Sequence, residues 1–336
     1  MNSAMARLSV LALVPMLFPM LLAAGCGEFE VRSIVLDLRV LAMQVDPPEI
    51  VFPFDPENLP DDPSDIEVQR VDVCALVADP AEARSLRFAM SACATTESRQ
   101  CNDPRRPVAP VALGTVEDPE TSDQPVEMCG TILTDLSLLS VLEDSVNADS
   151  LSGFGGVEVM VDLAVFPEGS SESEAQRAAK RILFAPQIPA DRVANSNPSI
   201  DELGITRGDD SEELAPLGRC GDVTPFAVSP GEEVEIEPTE SEGSREDYVV
   251  PTFDGGARRF TENHTYSYYS TSGKWNGEVT GGPRDVAGND PPIKSVWTAP
   301  DDSAEIGDGL DVRFWIVQRD ERGGLSWYET CARVTP

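Results

Sequence analysis

The sequence predicts an all-β protein: two antiparallel, immunoglobulin-like β-sandwich domains behind an N-terminal export segment. Three observations predict it. Apolar residues alternate with polar ones at period two over short runs, the pattern of half-buried strands. Clusters of Gly, Pro, Asn and Asp punctuate those runs at near-regular spacing. Helical periodicity is scarce.

In chain order, Ile34 to Val45 alternates and changes parity at Leu41, which predicts a strand with a bulge or kink. Asp46-Pro47-Pro48-Glu49 should end it, because consecutive prolines cannot continue a ladder. Residues 51–65 are rich in Pro and Asp and read as a loop. Ile66 to Ala78 is extended, with Val71, Val73, Ala75 and Val77 on one side and Cys74 and Leu76 on the other. After an Asp79-Pro80 turn comes a strand over Leu86 to Ala94, carrying Phe88 and Met90. Residues 95–125 are polar and read as a long loop stapled by disulfides.

Ile132 to Leu142 reads as a short helix, and Val157 to Val165 as a half-buried strand. Ser170 to Ala179 is a hairpin connection into the apolar Ile182-Leu183-Phe184. Pro186, Pro189 and Asn195-Ser196-Asn197-Pro198 mark a linker, which places a domain boundary near residue 190.

Beyond it, Glu233, Glu235 and Glu237 alternate with Val234 and Ile236, so the carboxylates belong on a wet face. Tyr266 to Ser270 and Ser295 to Thr298 are short aromatic strands. The last hairpin runs Val312, Phe314, Ile316, turns through Arg319 to Gly324, and returns over Leu325 to Val334. All four tryptophans lie in this half, where a sandwich core would hold them.

The N-terminus has a different grammar. Arg7 is followed by an apolar run from Leu8 to Ala24, closing on Leu22-Ala23-Ala24-Gly25-Cys26 before the polar Gly27-Glu28-Phe29-Glu30. Charge, apolar run and small residues are the parts of a signal peptide. A membrane-spanning helix is the alternative, but the run falls near the short end of the roughly 20 residues required and contains Pro15 and Pro19. The ending resembles a bacterial lipobox. That resemblance implies cleavage before Cys26, diacylglycerol on its sulfur, and attachment to a membrane through lipid alone, with the outer membrane as the expected address. The resulting division is 1–25 signal peptide, 26–32 lipidated tether, 33–190 first sandwich domain and 191–336 second.

Of seven cysteines the anchor takes Cys26, leaving Cys74, Cys93, Cys101, Cys129, Cys220 and Cys331. An even number in an oxidising compartment predicts three disulfides. Sequence does not fix their connectivity. The simplest set joins Cys220 to Cys331, the two in the C-terminal half, and Cys93 to Cys101 across a short loop, with Cys74 and Cys129 remaining. Zinc is disfavoured: there is no Cys-x-x-Cys pair, and the lone histidine, His264, is remote from every cysteine in sequence.

A net charge of −34 disfavours nucleic acid, which needs a basic face to replace phosphate counterions. Fifty-nine acidic residues make any one carboxylate pair uninformative as a glycosidase signal. The densest acidic cluster beside a strand, Asp301, Asp302, Glu305, Asp308 and Asp311, offers the hard oxygen ligands calcium prefers, without EF-hand spacing; a solvated face is the preferred reading. His264 reads as a surface or packing residue. Gly-x-Ser-x-Gly, Ser-x-x-Lys, P-loop and His-Glu-x-x-His motifs are missing, so no cofactor is expected beyond the covalent lipid.

Several phrases resemble uncharacterised surface lipoproteins abundant in myxobacteria, which combine a lipobox with immunoglobulin-like modules. They are Asp37 to Ala42 with Asp46-Pro47-Pro48-Glu49, Ala75 to Pro80, Asn195 to Pro198, Trp297-Thr298-Ala299-Pro300, and Arg319 to Trp327. The resemblance covers both halves and implies an anchored, β-rich surface protein with no catalytic residues to transfer. The long Cys93 to Cys129 region departs from it. The expected function is a non-enzymatic envelope module that binds a partner protein or glycan or acts as a spacer. The alternative is a carboxylate-based glycan hydrolase at the cell surface.

Overall fold

The computed structural model describes residues 32–52, 70–80, 84–95, 97–116, 126–133, 135–151, 153, 155–208 and 211–336. Cys26, the export segment, and the expected loop and strand start within 53–69 lie outside the described residues. The chain is predominantly β, in several sheets whose strands pair mostly antiparallel. Among the described residues no helix is long and apolar enough to cross a membrane.

The first half consists of β1 (Arg39–Asp46), β2 (Glu49–Phe52), β3 (Val71–Ala78), β4 (Leu86–Ala94), β5 (Val108–Val116), β6 (Val126–Ile132), helix α1 (Leu136–Ala148), β7 (Val157–Pro167) and β8 (Gln176–Pro186). β1, β3 and β6 form one sheet; a second has the order β2-β8-β7-β4-β5. Their facing sides share a core in which Met43, Val45, Val73 and Ala75 meet Phe88, Met90, Val161 and Leu163. α1 adds Leu138 and Val141 to it, and its N-terminus is capped by the Asp135 carboxylate, which accepts from the backbone N–H groups of Ser137 and Leu138.

Four expectations in this half need correction. The parity change in β1 is a bulge between Val40 and Ala42, but Pro47-Pro48 do not end the extended chain. It crosses to the other sheet as β2, parallel to β8, so Val51 and Phe52 are strand and not loop. Residues 108–116, expected within a long loop, form β5; its Pro110 is tolerated because β5 is an edge strand, with a register shift opposite Met90/Ser91. Ile132 ends strand β6, and the helix starts only at Leu136, after the Asp135 cap. β8 begins at Gln176, inside the stretch expected to be connection.

The second half contains β9 (Ile200–Arg207), β10 (Ser211–Leu214), β11 (Phe226–Val228), β12 (Glu233–Glu240), β13 (Asp247–Pro251), β14 (Ala257–Thr261), β15 (Thr265–Ser270), β16 (Lys274–Trp275), β17 (Val279–Gly281), β18 (Ser295–Thr298), a short helix α2 (Ser303–Ile306), β19 (Leu310–Arg319) and β20 (Leu325–Val334). One sheet has the order β10-β9-β12-β18-β16 and the other β11-β20-β19-β15-β17, with β11 parallel to β20. The two parallel edge pairs depart from the purely antiparallel expectation. Between these sheets Trp297 meets Phe314 edge-on at a centroid distance of 4.8 Å, within a core that includes Tyr266, Tyr268, Ile236 and Val312. β13 and β14 form a separate two-stranded ribbon.

A third apolar cluster joins the halves. Leu41, Ala42, Leu76 and Ala78, on the outer face of β1 and β3, pack with Trp315, Val317 and Leu325 of β19 and β20. β3 is therefore buried on both faces over its last four residues. This is why its sequence stops alternating after Cys74: Ala75-Leu76-Val77-Ala78 has an apolar residue for each face.

All three disulfides form with the expected partners: Cys74–Cys129, Cys93–Cys101 and Cys220–Cys331. The first joins residues directly opposite on β3 and β6. The last closes a separation of 111 residues, the largest loop of the three and the largest constraint on the unfolded chain.

Candidate functional site

The stretch from Gln187 to Pro198 carries no regular structure, yet it is not a solvated tether. Asn195 is 2% exposed, and its N–H donates to Glu49 Oε2 at 2.9 Å. Its side-chain amide donates to Asp320 Oδ2 at 3.1 Å. Asn197 bridges in the same way, donating to Val45 O and accepting from Leu325 N, both at 2.9 Å. Three stretches far apart in sequence thus meet: the end of β1 with β2, the 195–198 segment, and the turn between β19 and β20.

At their meeting point sits Glu49, 2% exposed, the first residue of β2. Its Oε1 accepts from Arg192 Nε at 3.1 Å and Nη2 at 2.7 Å. Its Oε2 accepts from Asn195 N and from Arg322 Nη2. Four donors on two oxygens satisfy a buried carboxylate, which is the condition for keeping such a charge away from water.

Arg322 is presented by the turn that Asp320 organises. The Asp320 Oδ1 accepts from the backbone N–H groups of Arg322 at 2.8 Å and Gly324 at 2.7 Å. The guanidinium then reaches three carboxylates: Glu49 through Nη2, and Glu246 at 3.3 Å and Glu262 at 3.2 Å through Nη1. It also donates to Val193 O and lies over the Tyr248 ring, 4.9 Å from its centroid. Burial pushes the Glu262 carboxyl up to about 7; the N–H of Glu246 and the Arg322 charge pull it back, while Asp320 and Glu246 repel its ionised form.

Next to this ion cluster opens a cleft of about 440 Å³, walled by Glu49, Arg192, Arg322, Glu321 and the ribbon residues Tyr248 to Pro251. Phe253, at the ribbon's tip, is 80% exposed on its rim. Tyr248 donates to Glu321 Oε1 at 2.7 Å, and burial, then this bond, raise its phenol to about 12. A second cleft of about 420 Å³, lined by Ser145, Asp149 and Glu158, shares Gly155 and Leu183 with the first. Glu49 and Glu321 are the carboxylates of the first cleft, and Glu49 has no lone pair to spare for a reacting group.

The residues singled out from sequence fall elsewhere. Cys26 lies outside the described residues, and the other six cysteines are paired. Asp301, Asp302 and Glu305 do line one cleft of about 370 Å³, together with Lys274. Two of these acids are engaged within the fold. Asp302 Oδ1 caps α2 through Ala304 N at 2.8 Å, and Glu305 accepts from the Ser272 hydroxyl. Asp308 is exposed outside that cleft, and Asp311 pairs with Arg333 at 2.9 Å. Among the described residues no three His, Cys, Asp or Glu side chains gather as a metal site. Glu233, Glu235 and Glu237 point away from the core, and Glu235 pairs with Lys294.

His264 is completely buried. Its Nδ1 lies 2.9 Å from Glu240 Oε1 and 3.1 Å from Gln318 Nε2. Tyr266 and Arg245 also donate to Glu240. Burial opposes the Glu240 charge, but the hydrogen bonds from His264, Arg245 and Tyr266 prevail and hold the carboxyl down at about 2. The network fastens β12 to β15 and β19.

No protein-family model and no curated protein matches the chain. Among solved structures it is similar to a protein of unknown function from Porphyromonas gingivalis W83, at 11% identity over 88% of this chain and 99% of that one, with a TM-score of 0.21. It is also similar to dimeric latent PorU from Porphyromonas gingivalis, at 11% identity over 89% of this chain and 24% of that one, and to the sialic acid binding region of a Streptococcus sanguinis SK1 adhesin bound to 3'sLn, at 10% identity over 89% and 77%. The TM-score is 0.21 for both. At that level none of the likenesses bears on function.

Proposed function

We infer that the chain is a lipid-anchored envelope protein of the myxobacterial surface-lipoprotein type, held by Cys26 at the outer membrane, whose two immunoglobulin-like sandwich domains bind an envelope partner or set a distance within the envelope. One observation carries the reading: six cysteines pair among themselves and Cys26 is left for lipid. Disulfides persist where thiols are not kept reduced, which favours an extracytoplasmic address.

The cleft beside Arg322 is the binding face in this reading. It presents an exposed aromatic, Phe253, and ribbon backbone above a fixed ionic floor. The arrangement suits recognition better than hydrolysis, because hydrolysis would require Glu49 to release its donors before acting on a substrate.

Detergent phase separation of the protein from its own host tests the address. Partition into the detergent phase is the expected result, and recovery in the aqueous phase would overturn the anchor.

A further inference from the structure

Asn276 is the residue at which the chain leaves β16. Its backbone N–H donates to Val296 O at 2.9 Å, and in a regular antiparallel pair its own carbonyl would accept the return bond from Val296 N. The side chain accepts it instead: Val296 N donates to Asn276 Oδ1 at 2.9 Å. Val296 N is a donor, so the atom it meets is the amide oxygen and the orientation of the side chain is fixed. The Asn276 side chain therefore lies back along its own backbone, beside the peptide that joins it to Gly277.

The surroundings favour attack by Gly277 N on the Asn276 side-chain carbonyl carbon. The Ser295 hydroxyl lies 3.3 Å from Oδ1 and 2.6 Å from Gly277 O, so a second donor stands beside the oxygen on which negative charge would build. Asn276 is exposed, and among the described residues neither its Nδ2 nor Gly277 N donates to any acceptor. The leaving group and the attacking atom are both unencumbered. Gly277 also has no side chain to crowd the approach, and this is the one Asn-Gly pair in the sequence.

We propose that Asn276 is a self-modification site. Gly277 N gives up its proton to hydroxide and bonds to Cγ of Asn276; the Cγ–Nδ2 bond breaks, and Nδ2 leaves as ammonia after taking a proton from water. The product is a five-membered succinimide. Water then opens the ring at one carbonyl or the other, giving aspartate or isoaspartate. The inference is independent of the anchor and of the cleft beside Arg322.

The two products differ in consequence. Aspartate keeps an oxygen opposite Val296 N. Isoaspartate runs the backbone through the former side chain, lengthens it by one carbon, and so disturbs the pairing of β16 with β18. Trp275 of β16 stacks 5.0 Å from Tyr268 and donates to Ser270 Oγ at 3.1 Å, so the change loosens an aromatic contact at the edge of the second core.

Peptide mapping by mass spectrometry of the folded full chain, aged in neutral buffer, reads the reaction. It should find a loss of about 17 Da at Asn276 and then a gain of about 1 Da as water opens the ring. The rate should rise by up to about tenfold per pH unit between pH 6 and 8, because the attacking nitrogen must lose a proton. Gly277→Ala fits the space, since its methyl would meet Thr280 and Ser295 only at 3.6 and 3.7 Å. That variant should convert about tenfold more slowly, because the attack is crowded. An Asn276 that stays intact in the folded chain while the urea-unfolded chain converts would overturn the proposal. So would a Gly277→Ala chain that converts at the wild-type rate.

Discussion

Arg322 and Glu49, 273 residues apart in sequence, form a buried ion pair that brings the turn between the last two strands against a strand near the start of the described chain. Buried pairs of this kind contribute little net stability over apolar packing, but breaking one leaves an uncompensated charge. Arg322→Ala should therefore destabilise the protein by about 3–5 kcal/mol, read as a lower urea midpoint. Glu262→Gln in the Arg322→Ala background should restore part of the loss, because Glu262 is the buried carboxylate left without its cation while Glu49 keeps Arg192. Additive losses would mean that the two residues do not act as a unit.

Burial at the seam predicts a pH dependence of stability. Glu329, whose side chain is 11% exposed, is raised to about 7 by burial and by Glu127, against Arg219 and other groups that lower it. A raised folded pKa means that its contribution is complete below pH 4.5 and lost as pH rises through 7. Thermal midpoints should fall from pH 5 to 7 and flatten above. In Glu329→Gln the fall should be smaller; an unchanged slope would remove Glu329 as a cause.

Glu240 predicts the opposite behaviour at the acid end. Its depressed carboxyl contributes stability above pH 4.5 that is lost as pH falls through about 2. His264→Ala should remove one of its donors and move acid unfolding to higher pH, followed by near-ultraviolet circular dichroism. Acid unfolding at the wild-type pH would show that the network does not depend on the imidazole.

The disulfides should be fully formed in exported protein. Gel migration should shift on reduction, and thiol titration of the unfolded, unreduced chain should find no free cysteine. Cys220→Ser with Cys331→Ser should destabilise by about 2–5 kcal/mol. Six free thiols would end the disulfide account.

Cys26→Ala should abolish palmitate labelling and release the protein from membranes. Unchanged labelling of that variant would refute lipidation at Cys26.

Much of the strand content was legible because half-buried strands carry a period of two. Leu86–Ala94, Ser295–Thr298 and Leu325–Val334 have the bounds their patterns predict. β5 was not legible, since an edge strand need bury little, and the alternation of Val108 to Val116 is mostly between exposed and half-buried positions. β2 was hidden by Pro47 and Pro48, which redirect the chain between sheets instead of ending it. The ion cluster was missed for a different reason. Glu49, Arg192, Glu262 and Arg322 are charged residues in polar stretches, and periodicity says nothing about which charges become buried. A signal did exist: Asp46 to Glu49, Asn195 to Pro198 and Arg319 to Trp327 are phrases that stood out as units, and in space they are one place.

The apolar cluster of Trp315, Val317 and Leu325 against Leu41, Ala42 and Leu76 also governs how the gene can be handled. Cutting near residue 190 would leave each fragment with an uncovered greasy face and with half of a salt cluster, Glu49 on one piece and Arg322 on the other. Fragments made for crystallisation or as vaccine-style antigens should clump unless co-expressed, and linker insertions near 190 should be poorly tolerated. Whatever this protein does, it is delivered by both halves together.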